Sequence, residues 1–401
     1  MAPETIGFQT TATDPQSNAR VGLLRTAHGP VETPAFMPVG TQGTIKALDH
    51  RRAHELGVQI LLCNAYHLYL RPGIEAIERS GGLHRFIGWE KPILTDSGGY
   101  QIFSLQQLRR LSDDGVEFRS HIDGSLHRFT PELVIAIQRS LGSDIMMTLD
   151  ECPPYPAERA VLECAVRRTL LWAQRAWQAF QSSAPRYGSR QLLFGIGQGG
   201  TDPTLRRQCL SELCQWNFDG FAIGGLSVGE PTELLYDMVA LSTELLPADR
   251  PRYLMGVGTP ENILTSIEHG VDLFDCVLPT RNARNGQLFT TRGKINIHNA
   301  RWRHSDEPID PEVDHPVSRT VTLGYLRHLF TAGEVTALIL ATEHNLAFYH
   351  WLLATARQKI RDGSFRHWKR SFLERLQQAK VETSDEDPNA ANLRSRCSTG
   401  R

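Results

Sequence analysis

Eight short runs rich in apolar and β-branched residues recur between residues 34 and 278, and most are separated by a stretch with helical periodicity. They are 34–39 (PAFMPV), 59–64 (QILLCN), 92–95 (PILT), 144–149 (DIMMTL), 192–196 (LLFGI), 220–223 (GFAI), 253–256 (YLMG) and 273–278 (LFDCVL). Strand and helix in alternation build a parallel sheet with helices outside it. Eight such units are the count of an α/β fold of the (β/α)8 TIM-barrel type. Helices are predicted near 130–141, 157–181, 203–215, 231–245 and 260–269. The first opens on Thr130-Pro131-Glu132, a capping side chain followed by proline where its missing N–H is no loss. The segment 116–129 alternates with period two around Asp123-Gly124 and reads as a hairpin inserted between the third and fourth strands.

Composition adds exclusions. A chain of 401 residues with 40% hydrophobic and 22% charged residues has the make-up of a globular protein. Net charge is −1, so no global field draws it to nucleic acid or membrane, and any such bias must be local. Only six of the 43 cations are Lys, an Arg bias that suits phosphate and base-edge contacts but also follows from a GC-rich genome. No apolar run approaches a membrane span, the N-terminus lacks a leader pattern, and the seven Cys contain no CxxC pair. The expectation is reduced thiols and a cytoplasmic location.

Beyond the eighth run the pattern changes. Residues 276–305 hold six cations (Arg281, Arg284, Arg292, Lys294, Arg301, Arg303) and no acid. Residues 306–314 are acidic, and 357–375 are again basic. The expected organisation is a barrel domain over 1–381 with insertions, a small C-terminal subdomain over about 286–345, and a disordered polar tail over 382–401.

Barrel chemistry sits at the C-terminal ends of strands. Those positions hold Asp96-Ser97-Gly98-Gly99-Tyr100, Asp150-Glu151-Cys152, Gln198-Gly199-Gly200, Gly224-Gly225-Leu226-Ser227, Gly256-Val257-Gly258 and Asp275. A lone Asp there often caps the next helix and a Gly is often a turn residue. Their joint occurrence is not explained by capping. Paired carboxylates suit chemistry at a sugar anomeric carbon: one attacks C1′ and another moves the proton of the leaving or entering group. Bare backbone admits a flat ring, and an Asp with a Gln can read a purine edge. Gly195-x-Gly197-x-x-Gly200 also fits the dinucleotide fingerprint, but the following strand ends in glycine where an acid should hold the ribose.

Three runs are more specific: Thr95-Asp96-Ser97-Gly98-Gly99-Tyr100-Gln101, Gly220-Phe221-Ala222-Ile223-Gly224-Gly225-Leu226-Ser227-Val228-Gly229-Glu230, and Phe274-Asp275-Cys276-Val277-Leu278-Pro279-Thr280-Arg281-Asn282-Ala283-Arg284-Asn285-Gly286. They resemble bacterial tRNA-guanine transglycosylases, over about residues 6–377. The resemblance implies a TIM barrel with a small zinc-binding subdomain, a homodimer and a tRNA partner. It implies replacement of guanine at the wobble position of GUN-anticodon tRNAs by 7-aminomethyl-7-deazaguanine, a step of queuosine biosynthesis. Asp275 then matches the nucleophile and Asp96 the proton acceptor. Asp96, Ser97, Gly98, Gly99, Tyr100, Asp150, Gln198 and Gly225 match the base site, with Tyr100 stacking. RNA contacts fall on Gly256, Val257, Gly258, Thr259, Pro260, Glu261 and Asn262, and on Thr280, Arg281, Asn282, Ala283 and Arg284.

The pattern departs from the family in the subdomain. Its three zinc Cys positions hold Val313, His315 and Ser318, and only His344 keeps its ligand. Val binds no metal and Ser is a poor zinc ligand, so no metal or other cofactor is expected, with apolar packing in place of the metal. His315 and His344 are remnant positions; a site improvised from them with Asp310 or Asp314 is the competing reading. Two functional alternatives stay open. One is an active paralogue acting on another base or RNA; the other is a non-catalytic tRNA-binding subunit, for which lost carboxylates and a kept zinc site would be expected.

Overall fold

The computed structural model describes residues 6–99, 101 and 109–385. Parallel strands form the centre: β4 (Ala35–Met37), β5 (Val39–Gly40), β6 (Leu61–Asn64), β7 (Ile93–Asp96), β11 (Ile145–Met147), β12 (Leu192–Gly197), β13 (Gly220–Ile223), β14 (Arg252–Leu254) and β15 (Leu273–Asp275). Their order is β4-β15-β14-β13-β12-β11-β7-β6-β5. β4 and β5 are the two halves of one strand broken at Pro38, which has no N–H for a ladder. One half pairs with β15 and the other with β6, so the sheet closes as an eight-stranded barrel.

The sequence-predicted helices are present, among them Pro131–Leu141, Arg159–Ser182, Pro203–Leu213, Thr232–Leu245 and Pro260–Glu268. Thr130 caps the first by accepting from Leu133 N at 3.2 Å. The eighth strand was expected to reach 278 but ends at Asp275. Residues Leu278–Arg284 are helical, with Pro279 in the first turn where its fixed φ suits a helix start. The predicted hairpin exists as β9 (Gly115–Arg119) and β10 (Leu126–Phe129), joined by β8 (Arg109–Ser112) into a three-stranded sheet.

A second antiparallel sheet, β1 (Gly7–Thr13), β2 (Arg20–Thr26) and β3 (Gly29–Thr33), was not expected from the sequence. Its Leu24 and Val31 share one buried cluster with Met37, Leu62, Leu94, Met147, Phe194, Ala222 and Leu273 from the barrel strands. The turn after β2 meets Asp144, just before β11, so this sheet closes the end of the barrel where strands begin. Chemistry is left to the other end.

The chain divides into two compact units. Residues 1–278 with 352–365 form the barrel unit; residues 279–351 with those from 366 onward form the other. The second contains the hairpin β16 (Gln287–Thr290) and β17 (Gly293–Asn296) and the helices Pro316–Thr320 and Leu323–Ala332. Its core joins Ala283, Leu288, Ile295, Ile297, Ile309, Val317, Leu323 and Leu326. The last described helix, Phe365–Asp385, runs past residue 382, where the polar tail was expected to begin, and 386–401 lie outside the described residues. No described helix is long and apolar enough to cross a membrane.

Candidate active site

At the mouth of the barrel, Asp96 ends β7 and Asp275 ends β15. Asp96 is buried. Its Oδ2 accepts from Asn64 Nδ2 at 2.6 Å, and its Oδ1 accepts from the N–H groups of Ala65 at 3.0 Å and Gly98 at 3.2 Å. Burial pushes this carboxyl up to about 7; the Ala65 N–H opposes the rise and the charge of Asp275 adds to it. Asp275 Oδ1 accepts from the Tyr253 hydroxyl at 2.6 Å and from Gly256 N at 2.8 Å. Burial raises its pKa too, against those two donors. One carboxyl is thus poised near neutrality while the other keeps two donors on a single oxygen and leaves its second oxygen for chemistry. Two donors to the charged form favour the anion at Asp275, while the proton-holding tendency of Asp96 suits a proton carrier.

Beside the backbone of Gly99, Asp150 Oδ2 accepts from Gln198 Nε2 at 2.6 Å. Both side chains are buried, and burial lifts the Asp150 carboxyl to about 6. Gln198 Oε1 has no hydrogen-bond partner among the described residues, although buried polar atoms rarely lack one. A ligand edge with a donor would satisfy it. Gly225 stands beside this amide with φ +69°, and a Cβ there would lie 2.3 Å from Gln198 Oε1. Only glycine fits. Ser97 is buried and accepts from Gly99 N at 3.2 Å, which fixes the turn under Asp96. Tyr100 lies outside the described residues.

The structure gives the glycines of the disfavoured fingerprint a packing role. A Cβ at Gly197 would stand 2.3 Å from Leu210 Cδ2, and one at Gly195 2.9 Å from the Phe218 ring. Those glycines admit close packing of barrel against helix, not a pyrophosphate.

Among the residues expected to touch RNA, Val257, Pro260, Thr280 and Ala283 have buried side chains and are packing residues. Thr259 caps the helix Pro260–Glu268 by accepting from Asn262 N at 3.2 Å, and Asn262 Oδ1 accepts from Tyr236 at 2.8 Å. Gly256 and Arg281 are exposed, Glu261 and Asn282 are partly buried, and Gly258 is buried against Cys276. Arg284 is partly buried, its Nη1 donating to Thr280 O at 2.8 Å.

Three site residues escaped the sequence reading. Asn64 ends β6 and could have been found by applying the strand-end rule there. Tyr253 lies within a strand and reads as core. Glu230 accepts from Ser227 N at 2.5 Å and Val228 N at 2.9 Å, holding a loop in which Ser227 has φ +60°.

The sequence pattern of the queuine tRNA-ribosyltransferase family matches residues 14–378. This chain belongs to that family. It is 51% identical over 370 residues to the queuine tRNA-ribosyltransferase of Caldanaerobacter subterraneus subsp. tengcongensis, covering 92% of this chain and 97% of that one. Against the Nitratidesulfovibrio vulgaris protein of the same name it is 54% identical over 365 residues, covering 91% and 96%. Against that of Aquifex aeolicus it is 49% identical over 368 residues, covering 89% and 96%.

The zinc positions of the queuine tRNA-ribosyltransferase family do not form a zinc donor set in this chain. His344 is buried, and its Nε2 donates to Phe289 O at 2.9 Å, which leaves Nδ1 as the acceptor of the Ser318 hydroxyl at 2.9 Å. Burial pushes this imidazole down to about 4, so it stays neutral and both its nitrogens are engaged. Val313 is buried, and His315 Nε2 lies 3.9 Å from Glu343. Asp310 accepts from Thr291 N and Oγ1, and Asp314 pairs with Arg319, so neither joins the histidines. Apolar burial was expected in place of the metal; a serine–histidine–carbonyl chain stands there as well.

One group among the described residues brings three ligand atoms together: His28, His84 and Asp144. The two rings stack with centroids 3.6 Å apart at 17°. An ion bound by both nitrogens would need to lie in both ring planes, which nearly parallel rings at that spacing do not permit. Asp144 instead bonds both rings and Ile93 N, closing the bottom of the barrel.

Proposed function

We propose that this chain replaces guanine at the wobble position of GUN-anticodon tRNAs with 7-aminomethyl-7-deazaguanine through a covalent intermediate on Asp275. The observation that carries this reading is a pair of strand-end carboxylates, the buried Asp96 and the half-buried Asp275, beside a base-edge reader made of Asp150, Gln198 and Gly225. The Asp275 oxygen left free by Tyr253 and Gly256 attacks C1′, and the bond to guanine breaks as protonated Asp96 delivers its proton to the leaving base. The incoming base loses a proton to Asp96 as its nitrogen attacks C1′ and releases Asp275. A carboxyl near neutrality suits that transfer. Asp150 and the Gln198 Oε1 accept from ring and amino N–H groups, while the Gly225 N–H faces a ring carbonyl on the same edge.

Arg281 and Arg284 contact nucleotides flanking the wobble position, and other cations of 276–305 hold phosphates. The protein works as a homodimer in the cytoplasm, where its tRNA is found, and its subdomain folds without zinc or any other cofactor. The reading is tested by incubating purified protein with radiolabelled guanine and unfractionated tRNA. Label entering tRNA supports it. Absence of label with intact, folded protein refutes it.

A further inference from the structure

Arg206 is a cation with no accessible surface. It lies on the helix Pro203–Leu213, and no carboxylate hydrogen-bonds to it. Its Nε and Nη2 donate to Gly200 O at 3.1 and 2.7 Å, and Nη2 also donates to Gly224 O at 3.1 Å. Its Nη1 has no hydrogen-bond partner among the described residues. Burying an Arg against two carbonyls is unfavourable compared with pairing it to a carboxylate or leaving it wet. A core that needed only apolar packing at this position would be better served by Leu or Met.

What the charge holds is the peptide unit between Gly224 and Gly225. In a trans peptide, C=O and N–H point in opposite directions. The guanidinium takes the carbonyl on one side, so the Gly225 N–H is directed to the other, where it meets the Cys152 sulfur on the same side as the Gln198 amide. Gly224 N donates to Gly197 O at 2.9 Å and fixes the preceding peptide as well. A positive charge on a carbonyl oxygen also draws electron density from the amide, which makes its N–H a stronger donor, and the low local dielectric magnifies the effect.

We propose that Arg206 is a positioning residue for base recognition: it fixes and polarises the Gly224–Gly225 peptide so that the Gly225 N–H selects a ring carbonyl on the base. This rests on the proposed reading of Asp150, Gln198 and Gly225 as the base site. It predicts that loss of Arg206 weakens binding of bases carrying that carbonyl far more than of bases lacking it, without touching the nucleophile.

The test uses full-length protein, with guanine and 2-aminopurine, which lacks the carbonyl, as competitors in the exchange assay. Wild type must first exchange guanine; failure there refutes the proposed function itself and not this inference alone. In Arg206→Met the inhibition constant of guanine should rise about tenfold relative to that of 2-aminopurine, as expected for weakening one buried charge-assisted contact. Arg206→Lys keeps the charge and one donor and should retain part of the preference; it also serves if the Met variant does not fold. An equal rise for both ligands in whichever variant folds would overturn the proposal, because it would reduce Arg206 to a strut between helix and barrel.

Discussion

Replacing Asp96 by Asn should change the pH dependence of stability in a way that follows from its surroundings. The wild-type carboxyl has its pKa raised by burial from the ordinary 3.8 to about 7 in the folded protein. Between those values the folded state holds a proton that the unfolded chain has released, so stability falls as pH rises from about 4 to 7 and is level above. From pH 5 to 7, at a slope of about 1.4 kcal/mol per unit that halves as the folded pKa is reached, wild type loses about 2 kcal/mol through this group. Asn does not titrate, so the variant lacks that loss. It suffers a pH-independent one instead, since its amide nitrogen would face Asn64 Nδ2 where a carboxylate oxygen accepts, a mismatch of about 1–3 kcal/mol. The variant should therefore be the less stable protein at pH 5 and approach or exceed wild type at pH 8. Urea unfolding of both proteins at the two pH values measures the difference. Parallel pH profiles would show that Asp96 has an ordinary pKa and refute the argument for its proton-accepting role. Exchange activity of the variant should meanwhile fall roughly 10²–10⁴-fold.

Further outcomes follow from neighbouring contacts. Tyr253→Phe removes one of two donors to Asp275 and should move the acidic limb of the pH–rate profile upward while reducing exchange about 10–100-fold; an unchanged limb would separate the two residues. Protein purified without chelator should contain no stoichiometric zinc, and Ser318→Ala should lower stability by about 1–3 kcal/mol by stripping a buried imidazole nitrogen of its donor. One zinc per chain, lost with activity in His344→Ala, would contradict this. Alanine at Arg281 or Arg284 should blunt discrimination among anticodons, whereas alanine at the exposed Arg292 or Arg303 should weaken all tRNAs alike and reduce the salt slope by about one per lost phosphate contact. Identical behaviour of all four in filter binding would dissolve that division.

The barrel was readable because eight apolar runs carry their own punctuation, and the strand-end rule then brought Asp96, Asp150, Gln198, Gly225 and Asp275 to one face. Other features are not written in local pattern. Pro38 splits a strand in a way that only closure of the barrel reveals. The sheet β1–β3 is largely polar on its outer strand, so its period is weak, and its role comes from Leu24 and Val31 meeting a core built later in the chain. Tyr253 was hidden because a mid-strand aromatic reads as packing; its hydroxyl reaches Asp275 only once β14 and β15 are adjacent. The lost zinc ligands were plain in the residues, but the bond from Ser318 to His344 spans 26 positions and depends on tertiary placement.

The central claim is a covalent bond between Asp275 and the ribose of tRNA, and trapping it is the most direct test. Wild-type protein mixed with tRNA in the absence of incoming base should give a protein–RNA adduct that survives a denaturing gel, and digestion with mass analysis should find the modified residue at Asp275. Asp275→Asn should give neither adduct nor exchange. An adduct of undiminished yield in that variant, or one mapped to Asp96, would contradict the account.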